Sequence, residues 1–168
     1  MTYRNILIAG ILLAGLLMGC GKSDSDPFVR FQVEGQSYEV KDPTFMVTRI
    51  KGKLHLMDLT HFPKSSMPGA SIQWQMNLDS VENLAGKNLD LNTVTPPAMP
   101  PLVIFQLTKD LTAHGQEQSD MHFKIDRIEE GMIEGSFSGK DFMYVSMTKE
   151  VTHEVDVTAR FRVQLDFK

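Results

Sequence analysis

Apolar and polar residues alternate with a period of two along most of the chain from Phe28 onward, the pattern of strands with one face in a core and the other in water. The C-terminus is the clearest case: Val155, Val157, Ala159, Phe161, Val163, Leu165 and Phe167 alternate with Asp156, Thr158, Arg160, Arg162, Gln164 and Asp166. Ile72, Trp74, Met76 and Leu78 alternate in the same way with Ser71, Gln73, Gln75 and Asn77, which puts the single tryptophan on a buried face. Further strands are expected over Phe28–Val33, Tyr38–Val40, Thr44–Ile50, Leu54–Leu59, Leu102–Thr108, Met121–Ile128, Met132–Ser138 and Phe142–Met147. Between them, Glu34-Gly35, Lys51-Gly52-Lys53, Glu130-Gly131 and Gly139-Lys140-Asp141 each offer glycine for a positive φ and predict hairpins. One short helix is expected from Asp79 to Gly86, with Asp79 as N-cap, Glu82 at capping-box spacing and Gly86 as the stop. About ten short strands with at most that one helix predict a single all-β domain over residues 28–168, either an antiparallel β-sandwich or a partly closed β-barrel.

The first residues break this pattern. Met1 to Asn5 carry one charged side chain, Arg4, and Ile6 to Met18 carry none. Thirteen residues are too few to cross about 30 Å of hydrocarbon as a helix, so a signal-peptide core is the better reading. It ends in Leu17-Met18-Gly19-Cys20, which resembles the lipobox of bacterial lipoproteins, where a leucine stands three residues before a cysteine. The resemblance implies that Cys20 is the lipid attachment site and that a peptidase cuts after Gly19, leaving residues 1–19 as signal peptide. A thiol suits that role because its nucleophilicity forms the thioether, and several acyl chains are needed because one gives only marginal membrane binding. Residues 20–27 then read as the lipidated N-terminus and a short polar tether, Gly21-Lys22-Ser23-Asp24-Ser25-Asp26-Pro27. Position 21 is not aspartate, which in that family implies the outer membrane rather than the inner one. Gly135-Ser136-Phe137-Ser138-Gly139, with its preceding Glu130-Gly131 turn, resembles a hairpin of small all-β bacterial lipoproteins and implies no activity.

Charge and chemistry narrow the function further. The formal charge of −4, one unit more negative once Arg4 is removed, offers no basic excess for a phosphate backbone, so nucleic acid is excluded as an expected partner. Cys20 is the only cysteine, which excludes intrachain disulfides and multi-cysteine metal sites. Gly135 to Gly139 differs from a nucleophile elbow because Phe137 stands where serine is required. Ser146-Met147-Thr148-Lys149 matches S-x-x-K in spacing, but it follows a strand pattern that puts serine and lysine on opposite faces. His55, Met57, Leu59 and His61 share one face of a strand; six residues span about 20 Å at strand rise, too far for both imidazoles to hold one ion without a bulge. Four prolines in Thr95-Pro96-Pro97-Ala98-Met99-Pro100-Pro101 stiffen that segment, either as a recognition surface or as a rigid crossover. No catalytic residue, metal ligand or cofactor is expected. The membrane, through the lipid anchor, and an envelope protein or small ligand are the expected partners, with an envelope enzyme or metal-handling protein as the alternative.

Overall fold

A computed structural model of the chain describes residues 26–50, 53–61, 67–94, 100–146 and 152–167. It contains eleven strands: β1 Phe28–Val33, β2 Gln36–Lys41, β3 Thr44–Ile50, β4 Lys53–His61, β5 Gly69–Leu78, β6 Asn88–Asp90, β7 Leu102–Thr108, β8 Leu111–His114, β9 Asp120–Glu129, β10 Met132–Ser146 and β11 Thr152–Phe167. The fold is all-β. Six strands form one layer in the order β2-β1-β11-β10-β9-β6. The other five form a second layer, β3-β4-β5-β7-β8.

The two layers are joined at both margins. The end of β10 (Met143–Ser146) pairs with β8, and the end of β11 (Gln164–Phe167) pairs with β3. A ring of hydrogen-bonded strands therefore closes through seven members, while β1–β2 and β9–β6 extend from it. The architecture combines features of a sandwich and a barrel and is neither in clean form. One expectation needs amendment: β11 and β3 run parallel, whereas every other strand pairing is antiparallel.

Local sequence explains most elements. Val29, Phe31 and Val33 of β1 are buried while Arg30 and Gln32 face out, and the same alternation holds from Val155 to Val163 in β11. Leu165 is partly buried, Trp74 is in the core as its pattern predicts, and the Leu78 and Phe167 side chains lie outside the described residues. The Glu34-Gly35 and Glu130-Gly131 links both take positive φ at both residues, the conformation of a tight two-residue hairpin whose twist matches its strands. Residues 51–52 lie outside the described set, but β3 and β4 pair as far as Ile50–Lys53.

Three local readings are corrected. Gly139-Lys140-Asp141 is a bulge inside one continuous strand, where the register shifts between Gly139 and Phe142 and Asp141 takes φ 58°. The expected Met132–Ser138 and Phe142–Met147 strands are thus the two arms of β10, bent so that its end reaches β8. The helical segment is a 3₁₀ turn, Val81–Leu84, capped by Ser80 rather than Asp79: the Ser80 hydroxyl accepts a hydrogen bond from the Glu82 amide. Gly86 ends it at φ 75°, as expected. A single further helical turn, α1 (Leu91–Val94), follows β6.

The core between the layers is aromatic. Phe45 of β3 and Trp74 of β5 meet Phe123 of β9, with ring centroids 6.3 and 4.5 Å away, and Phe123 stacks on Phe161 at 4.8 Å. A second group joins Phe31 to Phe105 at 4.9 Å and Phe105 to Phe137 at 5.6 Å. Each such pair adds about 0.5–1.5 kcal/mol beyond the area it buries.

Gly135 and Gly139 serve this packing. Both face the core, and a methyl group on Gly135 would collide with the Lys124 carbonyl oxygen and the Phe161 ring, while one on Gly139 would collide with Phe142. The glycines of Gly135 to Gly139 let aromatic rings lie directly across the backbone of β10, and Phe137 between them is itself buried. Gly135→Ala is therefore expected to cost about 1–3 kcal/mol, because the obstructing atom includes backbone that cannot swing aside. Urea unfolding checks this: a lower midpoint with an unchanged slope is the expected result.

Candidate functional site

The outward side chains of the six-stranded layer are set by strand register. Reading across the layer, Glu39, Arg30, Arg160, Ser136 and Lys124 occupy one row, contributed by β2, β1, β11, β10 and β9. The neighbouring rows are Phe28, Arg162 and Glu134 on one side, and Ser37, Gln32 and Thr158 on the other. All of these except Ser136 and Lys124 line a groove of about 950 Å³, with Asp126 also at its wall; the Tyr38 ring turns to the core side of β2, stacked on Phe31 at 5.1 Å.

Ion pairing in the groove is uneven. Arg30 Nε lies 2.9 Å from Glu39, and its guanidinium sits 4.2 Å above the Phe28 ring. Arg127 Nη2 reaches both Glu134 oxygens at 2.8 Å, and Arg162 Nε is 3.4 Å from the same carboxylate. Hydrogen bonding to Glu134, then its charge and that of Glu129, raise the Arg127 pKa. Lys124 pairs with Asp126. All three groove carboxylates thus have a cation partner. Arg160 is exposed and has no carboxylate partner among the described residues, although it stands directly opposite Arg30 across the β1–β11 pair. Like charges facing each other in this way oppose strand pairing, so the arrangement is not one that stability alone would select.

A second polar cluster lies outside the groove lining, where the β1–β2 turn meets the end of the β10–β11 pair. Glu34 is 2.6 Å from His153 Nε2, and the His153 ring is 4.8 Å from Tyr144. Burial first, and then the Glu34 charge, raise the pKa of both Tyr144 and Tyr38, so both phenols are held as hydrogen-bond donors. Tyr38 donates to Gln36 at 2.8 Å. A second histidine–carboxylate pair, His122 with Asp120 at 2.7 Å, sits at the start of β9. The side chains of both pairs are substantially exposed and neither pair opens onto the groove.

The other residues singled out in the sequence fare differently. Cys20 and Gly19 lie outside the described residues, as do Thr95 to Met99 and Met147 to Lys149. Met57 and Leu59 point into the core. His55 falls at a bulge, skipped by the register with both β3 and β5; its side chain and that of His61 are outside the described set. Among the described residues no group of three or more His, Cys, Asp or Glu is placed to hold a metal ion, and no helix is long and apolar enough to cross a membrane.

Comparison with protein-family models, with curated proteins and with solved structures finds no match to this chain. What the site can do therefore rests on its own geometry: a concave, solvent-open sheet face offering guanidinium donors, carboxylate and hydroxyl acceptors and the Phe28 ring.

His114, away from the groove, yields a pH prediction. Burial lowers its pKa below the ordinary 6.5, and its ring nitrogen is 2.7 Å from the Thr112 hydroxyl. The folded protein then takes up this proton less readily than the unfolded chain, so stability falls as pH drops through 6.5 toward the lower folded value. His114→Gln removes that penalty. The difference in Tm between about pH 7.5 and pH 5 should shrink in the variant, as scanning calorimetry can measure; an unchanged difference would show that His114 does not contribute.

Proposed function

We propose that this protein is a lipid-anchored, non-enzymatic binding domain of the bacterial cell envelope, attached through Cys20 and more suited to the outer than the inner membrane. Its binding surface is the groove on the outer face of the six-stranded layer, and its partner is an envelope protein or small ligand. The groove itself carries this reading. It is the open, unevenly charged surface of a domain whose interior is filled by aromatic rings. The sequence up to Leu17-Met18-Gly19-Cys20 supports the anchor, and the polar tether that follows leads directly into Phe28, a groove residue at the start of β1.

Binding is favoured over catalysis because the groove carboxylates are engaged by cations and the histidine–carboxylate pairs lie elsewhere. The alternative, an envelope enzyme, draws on Glu34, His153 and Tyr144, where among the described residues a carboxylate, an imidazole and a phenol meet. Turnover lost on His153→Ala would favour it.

The anchor is tested by labelling cells with radioactive palmitate: Cys20→Ser should lose the label and accumulate as unprocessed precursor, and label persisting in the variant would refute the anchor. The binding surface is tested by hydroxyl-radical footprinting of the full chain with and without envelope extract. Protection of the Phe28, Arg30 and Arg160 side chains is the expected result; protection confined to Tyr144 and His153 would move the site to the other cluster.

A further inference from the structure

We propose that the groove recognises an acidic saccharide, a ligand combining pyranose hydroxyls with a carboxylate or phosphate that pairs with Arg160. The proposal rests on the binding-domain reading and supplies its ligand class. Arg160 is the first argument. Its guanidinium is exposed in the groove with no carboxylate partner among the described residues, and it faces Arg30, so an incoming anion both gains a fork of donors and relieves the repulsion between the two cations. Arg30 is already held by Glu39 and Phe28, which leaves Arg160 as the group to turn toward a ligand.

The rest of the lining argues for hydroxyls beside that acid group. Glu39, Glu134 and Asp126 accept hydrogen bonds, Ser37 and Thr158 both donate and accept, and the Gln32 amide does the same. A sugar hydroxyl can donate to these carboxylates, which keep free lone pairs beside their cation partners. The half-buried Phe28 ring offers apolar surface to the C–H face of a pyranose ring, whereas the Tyr38 ring stacks on Phe31 on the core-facing side of β2. From Glu39 on β2 to Glu134 on β10 the lining crosses three strand spacings, about 14 Å. That length admits two or three linked sugars. A peptide would instead be expected to add to a sheet edge through its backbone, and the groove runs over a sheet face.

The test is isothermal titration of the full-length chain in mild detergent with four probes: trigalacturonate, mannose 6-phosphate, maltotriose and inorganic phosphate. Trigalacturonate or mannose 6-phosphate should bind with Kd below about 5 mM, with maltotriose and phosphate at least tenfold weaker. Which acidic sugar binds decides between carboxylate and phosphate. Arg160→Ala should weaken the bound sugar by about tenfold or more, the loss expected for one charge-assisted contact, and Arg160→Lys should restore part of it. Arg160 is exposed and faces Arg30, so a Tm that does not fall in Arg160→Ala and is unchanged in Arg160→Lys confirms that the fold is intact.

Absence of binding by both acidic sugars at about 10 mM overturns the proposal, as does an unaltered affinity in Arg160→Ala. Equal binding of maltotriose would make the site a neutral-sugar site, and equal binding of phosphate a simple anion site; either result also overturns it. If no sugar binds while envelope extract still protects the groove side chains, the ligand class alone fails. If neither occurs, the binding-domain reading fails with it.

Discussion

Backbone pairing between β10 and β11 runs from Met132–Gln164 to Val145–Thr152, interrupted only at the bulge after Gly139. Both strands are longer than the layer they start in. Once β10 bends past Asp141 its free edge turns from β9 to β8, and once β11 passes Val163 its free edge turns from β1 to β3. That shared ribbon makes one closed object out of two layers, so there is a single aromatic core between them. Its inner face carries Phe137, Phe142 and Phe161. The glycines at 135 and 139 exist in this scheme to let those rings sit close to the ribbon's backbone.

The outer face of the same ribbon carries the groove. Strand alternation requires that if Val157, Ala159, Phe161 and Val163 are inside, then Thr158, Arg160 and Arg162 are outside, and register with β1 and β10 sets Arg30 and Glu134 beside them. A one-residue slip in β11 would bury the arginines and expose the aromatics. The core therefore fixes the groove's charge pattern. Fold stability and ligand recognition depend on the same register, but through opposite faces of the sheet, and so substitution of Arg160 leaves the core untouched while substitution of Gly135 does not.

Much of the fold was legible in the sequence because β1, β3, β5, β7 and β11 each carry large apolar side chains at alternate positions. The elements that escaped lack that signal. β8 buries only Ala113 and β6 only Leu89, too little apolar pattern to separate from a loop. Gly139-Lys140-Asp141 has the composition of a tight turn, and only the long-range pairing of both β10 arms with β11 distinguishes a bulge from a hairpin. The candidate site was less legible. Arg160 and Arg162 appear in sequence as the polar half of an amphipathic strand, and their partner Arg30 is contributed by the opposite end of the domain. The available clue was two arginines on the outward face of the most regular strand. The histidine–carboxylate pair is equally non-local, since Glu34 and His153 meet only when β1 lies against β11.

Native-state hydrogen exchange tests the role of the β10–β11 ribbon most directly. If the ribbon is the shared spine of both layers, amides in the pairing from Ile133–Val163 to Gly139–Val157 should open only with global unfolding, and their exchange should track the denaturant dependence of the whole protein. Amides of β2 and β6, at the free margins of the six-stranded layer, should exchange through smaller openings. Ribbon amides that exchange as fast as those of β2 and β6, or independently of global stability, would contradict the account.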